Sequence, residues 1–266
     1  MLGCARTTQA GGKMDPAGRH ALVTGGGRGI GAAIARALTA AGAVVTVLGR
    51  NPAPLAAMLA EGDAAGFAQA DVTDAAALAA AVARAEAARG PLSILVNNAG
   101  AVETAPFGKL QRDAWDRMIA VNLTAVYQAT QAVLPGLLAG GWGRIVNVAS
   151  TAGLTGYPYV AAYVAAKHGV VGLTRALALE TAKSGVTVNA VCPGYTETDL
   201  LADSMAKVVA KTGKTEQEVR ATFARSNPQG RLVAPEEVAA AVLFLCGPAS
   251  GAMTGQAIAV AGGEVM

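Results

Sequence analysis

Short apolar runs alternate along the chain with longer stretches in which apolar positions recur at helical spacing. Runs of four to eight apolar residues bounded by glycine or polar residues are typical of buried strands, and spacings of three and four indicate amphipathic helices. Strands are predicted at residues 20–24, 43–48, 66–70, 93–96, 144–149, 185–192 and 256–260. Helices are predicted at 75–89, 113–138 and 234–245, with two more ending near residues 41 and 183. This alternation predicts an α/β domain with a parallel, doubly wound sheet.

The composition is that of a protein with a large buried core. Hydrophobic residues make up 53% of the 266 residues and charged residues 15%. We find no clear linker, so we expect a single domain over residues 20–266. The net charge is +3 without a Lys/Arg cluster, so nucleic-acid binding is not predicted. No apolar run reaches the roughly 18 residues that a membrane-spanning helix needs.

The cysteines and the first residues bear on the cellular compartment. Cys4, Cys192 and Cys246 are widely spaced, which predicts neither a disulfide framework nor a metal site and favours the cytoplasm. Residues 1–19 lack an apolar signal core and predict a disordered N-terminal arm. Whether the native chain begins at Met1 or Met14 stays open. The polar stretch 199–230 carries two weak helical patterns, and we expect it to form a mobile lid over a cleft.

A glycine-rich turn joins the first strand to a helix. Gly25, Gly29 and Gly31 follow the apolar run His20–Thr24, and an alanine-rich helical stretch comes next. Glycines allow close backbone approach and positive φ, and a helix N-terminus attracts a pyrophosphate. The turn therefore predicts a dinucleotide site.

The end of the second strand indicates which dinucleotide is bound. An acidic residue at this place holds the ribose 2′-hydroxyl of NAD, and an arginine accommodates the 2′-phosphate of NADP. Here the strand ends in Gly49-Arg50-Asn51, which offers no carboxylate. Arg50, with Arg28 in the glycine turn as a second cation, favours NADPH over NADH.

Three residues between positions 150 and 167 have a spacing suited to acid–base chemistry. Tyr163 and Lys167 are four residues apart and share one helix face. A neighbouring ammonium favours the phenolate, so we expect Lys167 to lower the pKa of Tyr163 toward neutrality. Ser150 follows an apolar strand, and its hydroxyl is predicted to face the ligand crevice at the strand's carboxyl end.

These pieces together resemble the classical short-chain dehydrogenases/reductases over residues 20–263. Each piece is weakly specific, but their order and spacing match the family. The matching residues are Thr24-Gly25-x-x-x-Gly29-Ile30-Gly31, Asp71-Val72, Asn97-Asn98-Ala99-Gly100, Asn122, Ser150, Tyr163-x-x-x-Lys167 and Pro193-Gly194. The resemblance implies a Rossmann-type sheet of about seven strands. It also implies a homotetramer with helix 235–245 and the last strand at one interface.

The resemblance further implies a catalytic tetrad of Asn122, Ser150, Tyr163 and Lys167. Tyr163 would exchange a proton with the substrate oxygen, Ser150 would orient that oxygen, and Asn122 would anchor a water that relays protons to Lys167. Lys167 would also hold the nicotinamide ribose. The residues implied at the cofactor are Gly25, Arg28, Gly29, Ile30, Gly31, Arg50, Asp71, Val72, Asn98, Ala99, Gly100, Tyr163, Lys167, Pro193, Gly194, Thr196 and Thr198.

The substrate is less determined than the reaction. Segments 156–159 and 199–230 are expected to line the pocket. Several short sequence segments resemble those of ketoreductases acting on 3-oxoacyl thioesters and polyketides. We therefore expect an NADP(H)-dependent oxidoreductase that interconverts a ketone and a secondary alcohol. Two alternatives stay open: an NAD-dependent dehydrogenase of a sugar, steroid or hydroxy acid, and a non-catalytic cofactor-sensing protein.

Overall fold

A computed structural model describes residues 16–266, so the predicted arm lies almost entirely outside the described residues. Within the described part, seven strands form one parallel sheet in the order β3-β2-β1-β4-β5-β6-β7. The strands are β1 His20–Thr24, β2 Val44–Gly49, β3 Gly66–Gln69, β4 Leu92–Asn97, β5 Gly143–Val148, β6 Val186–Pro193 and β7 Ala257–Val260. The predicted doubly wound sheet is confirmed.

Helices cover both faces of this sheet. Strands β1, β5 and β6 are buried on both sides. Their side chains alternate between two cores: Ala21 and Val23 of β1 lie in one, and Leu22 lies in the other. Among the described residues the α-helices are α1 Gly29–Ala40, α2 Pro52–Ala60, α3 Ala75–Arg89, α4 Arg112–Ile119, α5 Ala125–Gly140, α6 Ala161–Thr181, α7 Asp199–Thr212, α8 Glu216–Ala224 and α9 Pro235–Cys246. The first core includes α1, α2 and α9, and the second includes α3, α5 and α6.

The order of the strands places the ligand crevice. The chain runs outward from β1 through β2 to β3, and then returns to the other side of β1 to form β4. Loops that leave neighbouring strands on opposite faces separate at this switch point, which opens a crevice at the carboxyl ends of β1 and β4. The glycine turn after β1 and the segment Asn98–Gly100 after β4 lie at this edge.

The predicted elements agree with the structure to within a few residues, with two differences. Helix α2 was not predicted. Asn51 caps it and accepts a hydrogen bond from the Ala53 amide. Only Leu55 and Met58 of this helix are buried, so the apolar positions are too few to show a helical period in the sequence. The predicted helix 113–138 is interrupted by a π-helical turn, Ala120–Thr124, which contains Asn122.

The stretch 199–230 folds into α7 and α8, which confirms its two helical patterns. Its role as a lid stays a prediction, as do the homotetramer and the cytoplasmic location. On the expected interface, the Phe244 side chain of α9 is half-exposed, and β7 is an edge strand of the sheet. Over residues 16–266, none of the helices combines the length and the apolar character required to cross a bilayer.

Candidate active site

The glycine turn forms a tight loop at the start of α1. Gly25 and Gly29 have φ values of 64° and 53°, which favour glycine. A Cβ at Gly31 would collide with the Gly25 carbonyl oxygen, so this position admits only glycine. The first turn of α1 has no acidic residue, and Arg28 precedes it without capping it by a side-chain hydrogen bond. The helix N-terminus is thus open to an anion, and the turn fits the pyrophosphate of a dinucleotide.

Thr24 and Asn98 hold the two halves of the crevice together. The Thr24 hydroxyl accepts hydrogen bonds from the amides of Asn98 and Ala99 at 3.0 and 3.1 Å. The Asn98 side chain donates to the carbonyl oxygens of Thr24 and Gly25 at 3.0 and 3.2 Å. The Asn98 side chain thereby fixes the glycine turn, and Ala99 and Gly100 follow it at the edge of the crevice. That Asn98 also lines the cofactor stays a prediction.

Arg50 lies at the carboxyl end of β2, and its side chain is 76% exposed. The expectation that no carboxylate lies near it is wrong, because β3 pairs with β2 and brings Asp71 within 4.0 Å of the guanidinium. Burial tends to raise the pKa of Asp71, but two hydrogen bonds from Thr73 and the charge of Arg50 lower this pKa below its usual value. Such an exposed pair is weak, so Arg50 stays available to a phosphate. Val72, which follows Asp71 in the chain, is buried.

Ser150 and Tyr163 meet at the carboxyl end of β5. Ser150 follows the end of β5 by two residues, and its Oγ accepts a hydrogen bond from the Ala152 amide at 3.1 Å. Tyr163 lies in the first turn of α6, half-buried, and the Ser150 side chain lies close to its hydroxyl. Two hydroxyl groups therefore converge on one point of the crevice, as the sequence predicted.

Lys167 lies one turn further along α6 and is almost completely buried. Its Nζ donates a hydrogen bond to the Val148 carbonyl at 2.8 Å and lies 5.6 Å from the centroid of the Tyr163 ring. Burial lowers the pKa of Lys167 to about 8. Tyr163 and Lys167 are neighbours, as predicted, but the Lys167 ammonium points to the Val148 carbonyl and not to the Tyr163 hydroxyl.

The pKa of Tyr163 differs from the prediction. The pKa is raised rather than lowered, chiefly because burial disfavours the phenolate, and the nearby Ser150 hydroxyl offsets this only in part. The expectation that Lys167 lowers the tyrosine pKa is therefore wrong for the free protein. The helical spacing placed both side chains on one face, but it did not reveal that the amine would bond to Val148.

Asn122 is fully buried in the π-helical turn. Its amide nitrogen donates to the carbonyls of Ala101 and Met118 at 2.9 and 3.0 Å, and its oxygen accepts from the Ala101 amide at 3.2 Å. The side chain thus fixes the loop after β4. A Cβ at Gly100 would lie 2.9 Å from the Asn122 oxygen and 3.8 Å from Lys167 Nζ, so both side chains lie next to Gly100. The relay water stays a prediction.

The segment after β6 closes over the glycine turn. Pro193 is buried, and the Gly194 amide donates to the Val260 carbonyl at 3.1 Å. Thr196 is buried and bonds through its hydroxyl to the Gly194 carbonyl. Thr198 caps α7, and its methyl group would lie 3.3 Å from a Cβ at Gly29. The predicted cofactor residues that follow β1 and β6 therefore lie close together. Ile30 is half-buried and packs against the first core.

The structure adds polar contacts that the motifs did not indicate. In the sheet, Asn97 donates to Asn147, which donates to Thr174 of α6, each at 2.9 Å. Beside Ser150, the Tyr157 hydroxyl lies 2.8 Å from Thr151 Oγ1 and 2.7 Å from Glu264 Oε1. An acidic residue in the otherwise apolar C-terminal stretch was the available signal for this second contact. Within residues 16–266, no group of His, Cys, Asp or Glu side chains is arranged to hold a metal ion.

The fold and this site define an α/β oxidoreductase that binds a nicotinamide dinucleotide. Residues 19–209 match the short chain dehydrogenase family. The chain belongs to this family and is an enzyme that interconverts hydroxyl and keto groups. The resemblance seen in the sequence is thus confirmed.

Several relatives of known name are similar over nearly the whole chain. A D-beta-hydroxybutyrate dehydrogenase of Cupriavidus necator is 41% identical over 253 residues, covering 93% of this chain and 98% of the relative. An acetoacetyl-CoA reductase of Rhizobium meliloti is 41% identical over 246 residues, covering 92% and 98%. The crystal structure of a single-substitution variant of actinorhodin polyketide ketoreductase with NADPH is 40% identical with a TM-score of 0.89, covering 92% of this chain and 97% of that one.

The buried amine predicts a pH-dependent contribution to stability. The pKa of Lys167 is lowered from 10.5 to about 8, so between these values the unfolded chain carries a proton that the folded chain lacks, and stability rises with pH across this window. Lys167→Met removes this titration. We expect the free energy of unfolding of the variant, relative to the wild type, to fall by about 3 kcal/mol between pH 7 and pH 10.5.

Urea unfolding of the cofactor-free proteins across this pH range measures the difference, because all other groups titrate in both. Lys183→Met, at an exposed lysine, is the matched control. A wild-type-to-variant difference that stays constant with pH would contradict the buried, titrating amine.

Proposed function

We propose that the protein is an NADP(H)-dependent ketoreductase whose substrate is a 3-oxoacyl thioester or a similar polyketide-type ketone. The observation that carries the proposal is the convergence of the Ser150 and Tyr163 hydroxyls above the buried Lys167. The relative named acetoacetyl-CoA reductase and the ketoreductase structure with NADPH support the substrate class and the cofactor. The relative named D-beta-hydroxybutyrate dehydrogenase supports a free hydroxy acid as the second candidate substrate.

The residues present fit a dinucleotide along the whole crevice. The open N-terminus of α1 would hold the pyrophosphate, Asp71 and Val72 would flank the adenine, and Arg50 would meet a 2′-phosphate. Lys167 would hold the nicotinamide ribose, and the segment from Pro193 to Thr198 would lie against the nicotinamide. When bound, this cofactor supplies or accepts the hydride.

The protein supplies the proton and the stabilisation of charge. Negative charge grows on the carbonyl oxygen during reduction, and two preorganised hydroxyl groups can stabilise it. Tyr163 donates its phenolic proton to that oxygen, while Ser150 donates a hydrogen bond. A raised pKa keeps Tyr163 protonated at neutral pH, which is the form that reduction requires. Alcohol oxidation needs the phenolate, so its rate rises with pH whereas reduction falls.

Tyr163→Phe tests the reaction and the proton donor together. The variant keeps the ring and loses only the hydroxyl, so we expect NADPH to bind within about threefold of the wild-type affinity. With acetoacetyl-CoA as substrate, kcat/KM should fall by about 10³-fold or more, because a general acid contributes roughly 10²–10⁴ and the hydroxyl also stabilises the oxygen. Fluorescence titration of NADPH and the steady-state rate of its oxidation measure the two effects.

Tyr127→Phe is the matched control, because Tyr127 lies on α5, is 47% exposed and belongs to none of the segments assigned to the site. Unchanged turnover in Tyr163→Phe would contradict the assigned role. A wild type that reduces simple ketones, sugars or steroids but not thioesters would contradict the substrate class.

Arg50→Gln tests the cofactor preference. A charge-assisted hydrogen bond contributes about 1.5–3 kcal/mol, so its loss should weaken NADPH binding about 10–100-fold. Binding of NADH, which has no 2′-phosphate, should change by less than about threefold. Arg36→Gln, which removes an exposed arginine of α1 paired with Asp63, is the control. Equal losses for both cofactors, or a wild type that binds NADH more tightly, would contradict the preference.

A further inference from the structure

The C-terminal tail brings a carboxylate to the substrate side of the crevice. Glu264 lies four residues after the end of β7, and its Oε1 lies 2.7 Å from the Tyr157 hydroxyl. Its Oε2 is buried and has no hydrogen-bond partner within residues 16–266. A Cβ at Gly194 would lie 2.7 Å from this oxygen, so the carboxylate touches the segment proposed to flank the nicotinamide.

A chain of hydroxyl groups fixes Glu264 relative to the reacting centre. The Tyr157 hydroxyl has one proton and two oxygen neighbours, Thr151 Oγ1 at 2.8 Å and Glu264 Oε1 at 2.7 Å. The arrangement that satisfies both contacts has Thr151 donating to Tyr157 and Tyr157 donating to Glu264. Thr151 is buried and directly follows Ser150, so the carboxylate is tied to the loop that carries one of the two converging hydroxyls.

The surroundings of Glu264 are aromatic. The Tyr157 ring packs edge-on against Tyr195 at 6.4 Å, and Tyr195 packs in the same way against Phe223 of α8 at 4.8 Å. Burial and, to a smaller extent, the charge of Glu264 raise the pKa of Tyr195. A negative charge in such a low-dielectric setting interacts strongly with a second charge placed nearby.

One arginine of α4 and one of α8 are paired with acids. Arg117 binds Glu103 of the loop after β4 through two hydrogen bonds of 3.0 Å, and Arg220 of α8 binds Glu197 of the loop after β6. These two cations therefore do not offset the charge of Glu264 toward a ligand.

We infer that Glu264 is a specificity-determining residue that excludes substrates with a free carboxylate beside the reacting carbonyl and admits neutral 3-oxo esters and thioesters. The inference rests on the proposed function and selects between its two substrate classes. The acyl carbon of a 3-oxo substrate is two bonds from the carbonyl carbon held at Ser150 and Tyr163. An anionic acyl group would thus approach the half-buried Glu264 carboxylate, which has no ion-pair partner within residues 16–266, and like charges placed together there repel strongly.

Acetoacetate and methyl acetoacetate form a matched pair, because they differ in the charge of this acyl group. With NADPH, we expect the wild type to have at least about 100-fold higher kcat/KM for the ester. Glu264→Gln keeps the shape and removes the charge, so it should raise kcat/KM for acetoacetate at least about tenfold and change that for the ester less than about threefold. Tyr157→Phe keeps the carboxylate and should retain the preference for the ester.

The outcomes separate the two claims. Equal changes for both substrates in Glu264→Gln would show a merely structural role and overturn the inference, even though ketone reduction itself is confirmed. A wild type that reduces neither compound would contradict the proposed function. In that case, calorimetric binding of the two compounds to the NADPH complex still decides the role of Glu264: a preference for the ester that Glu264→Gln abolishes supports it, and equal binding overturns it.

Discussion

The geometry of the site depends on one buried hydrogen bond, from the Lys167 ammonium to the Val148 carbonyl. Val148 is the last residue of β5, and Ser150 follows it by two residues. The bond therefore fixes α6 against the strand end, and one helical turn earlier Tyr163 reaches Ser150. A buried charge with a single carbonyl partner is costly, and the lowered pKa of Lys167 expresses that cost.

The same burial acts oppositely on the two neighbours. It raises the pKa of the Tyr163 phenol and lowers that of the Lys167 ammonium, because each charged form loses hydration. In the free protein the proton accordingly stays on Tyr163, which is the acid form that carbonyl reduction uses. The surrounding polar side chains, Asn98, Asn122 and Asn147, are bonded to the protein itself and keep the loops at this edge in place.

The order of the elements and the position of the crevice could be predicted, because apolar runs and glycines mark strands and turns locally. The convergence of Ser150, Tyr163 and Lys167 followed from the resemblance and the helical spacing. The features that were predicted wrongly or missed depend on contacts between distant parts of the chain. Pairing of β2 with β3 brings Asp71 to Arg50, and the last residues of the chain bring Glu264 to Tyr157. The direction of the Lys167 amine, and hence the pKa of Tyr163, likewise depends on packing that no local pattern shows.

The central claim is that Ser150 and Tyr163 together hold the oxygen at which the proton is exchanged. A crystal structure of the protein with NADP⁺ and a 3-hydroxyacyl ester measures this directly. The account predicts the alcohol oxygen within hydrogen-bond distance, about 2.5–3.0 Å, of both Ser150 Oγ and Tyr163 Oη. An alcohol oxygen bound by other groups, with Tyr163 turned away from the crevice, would contradict it.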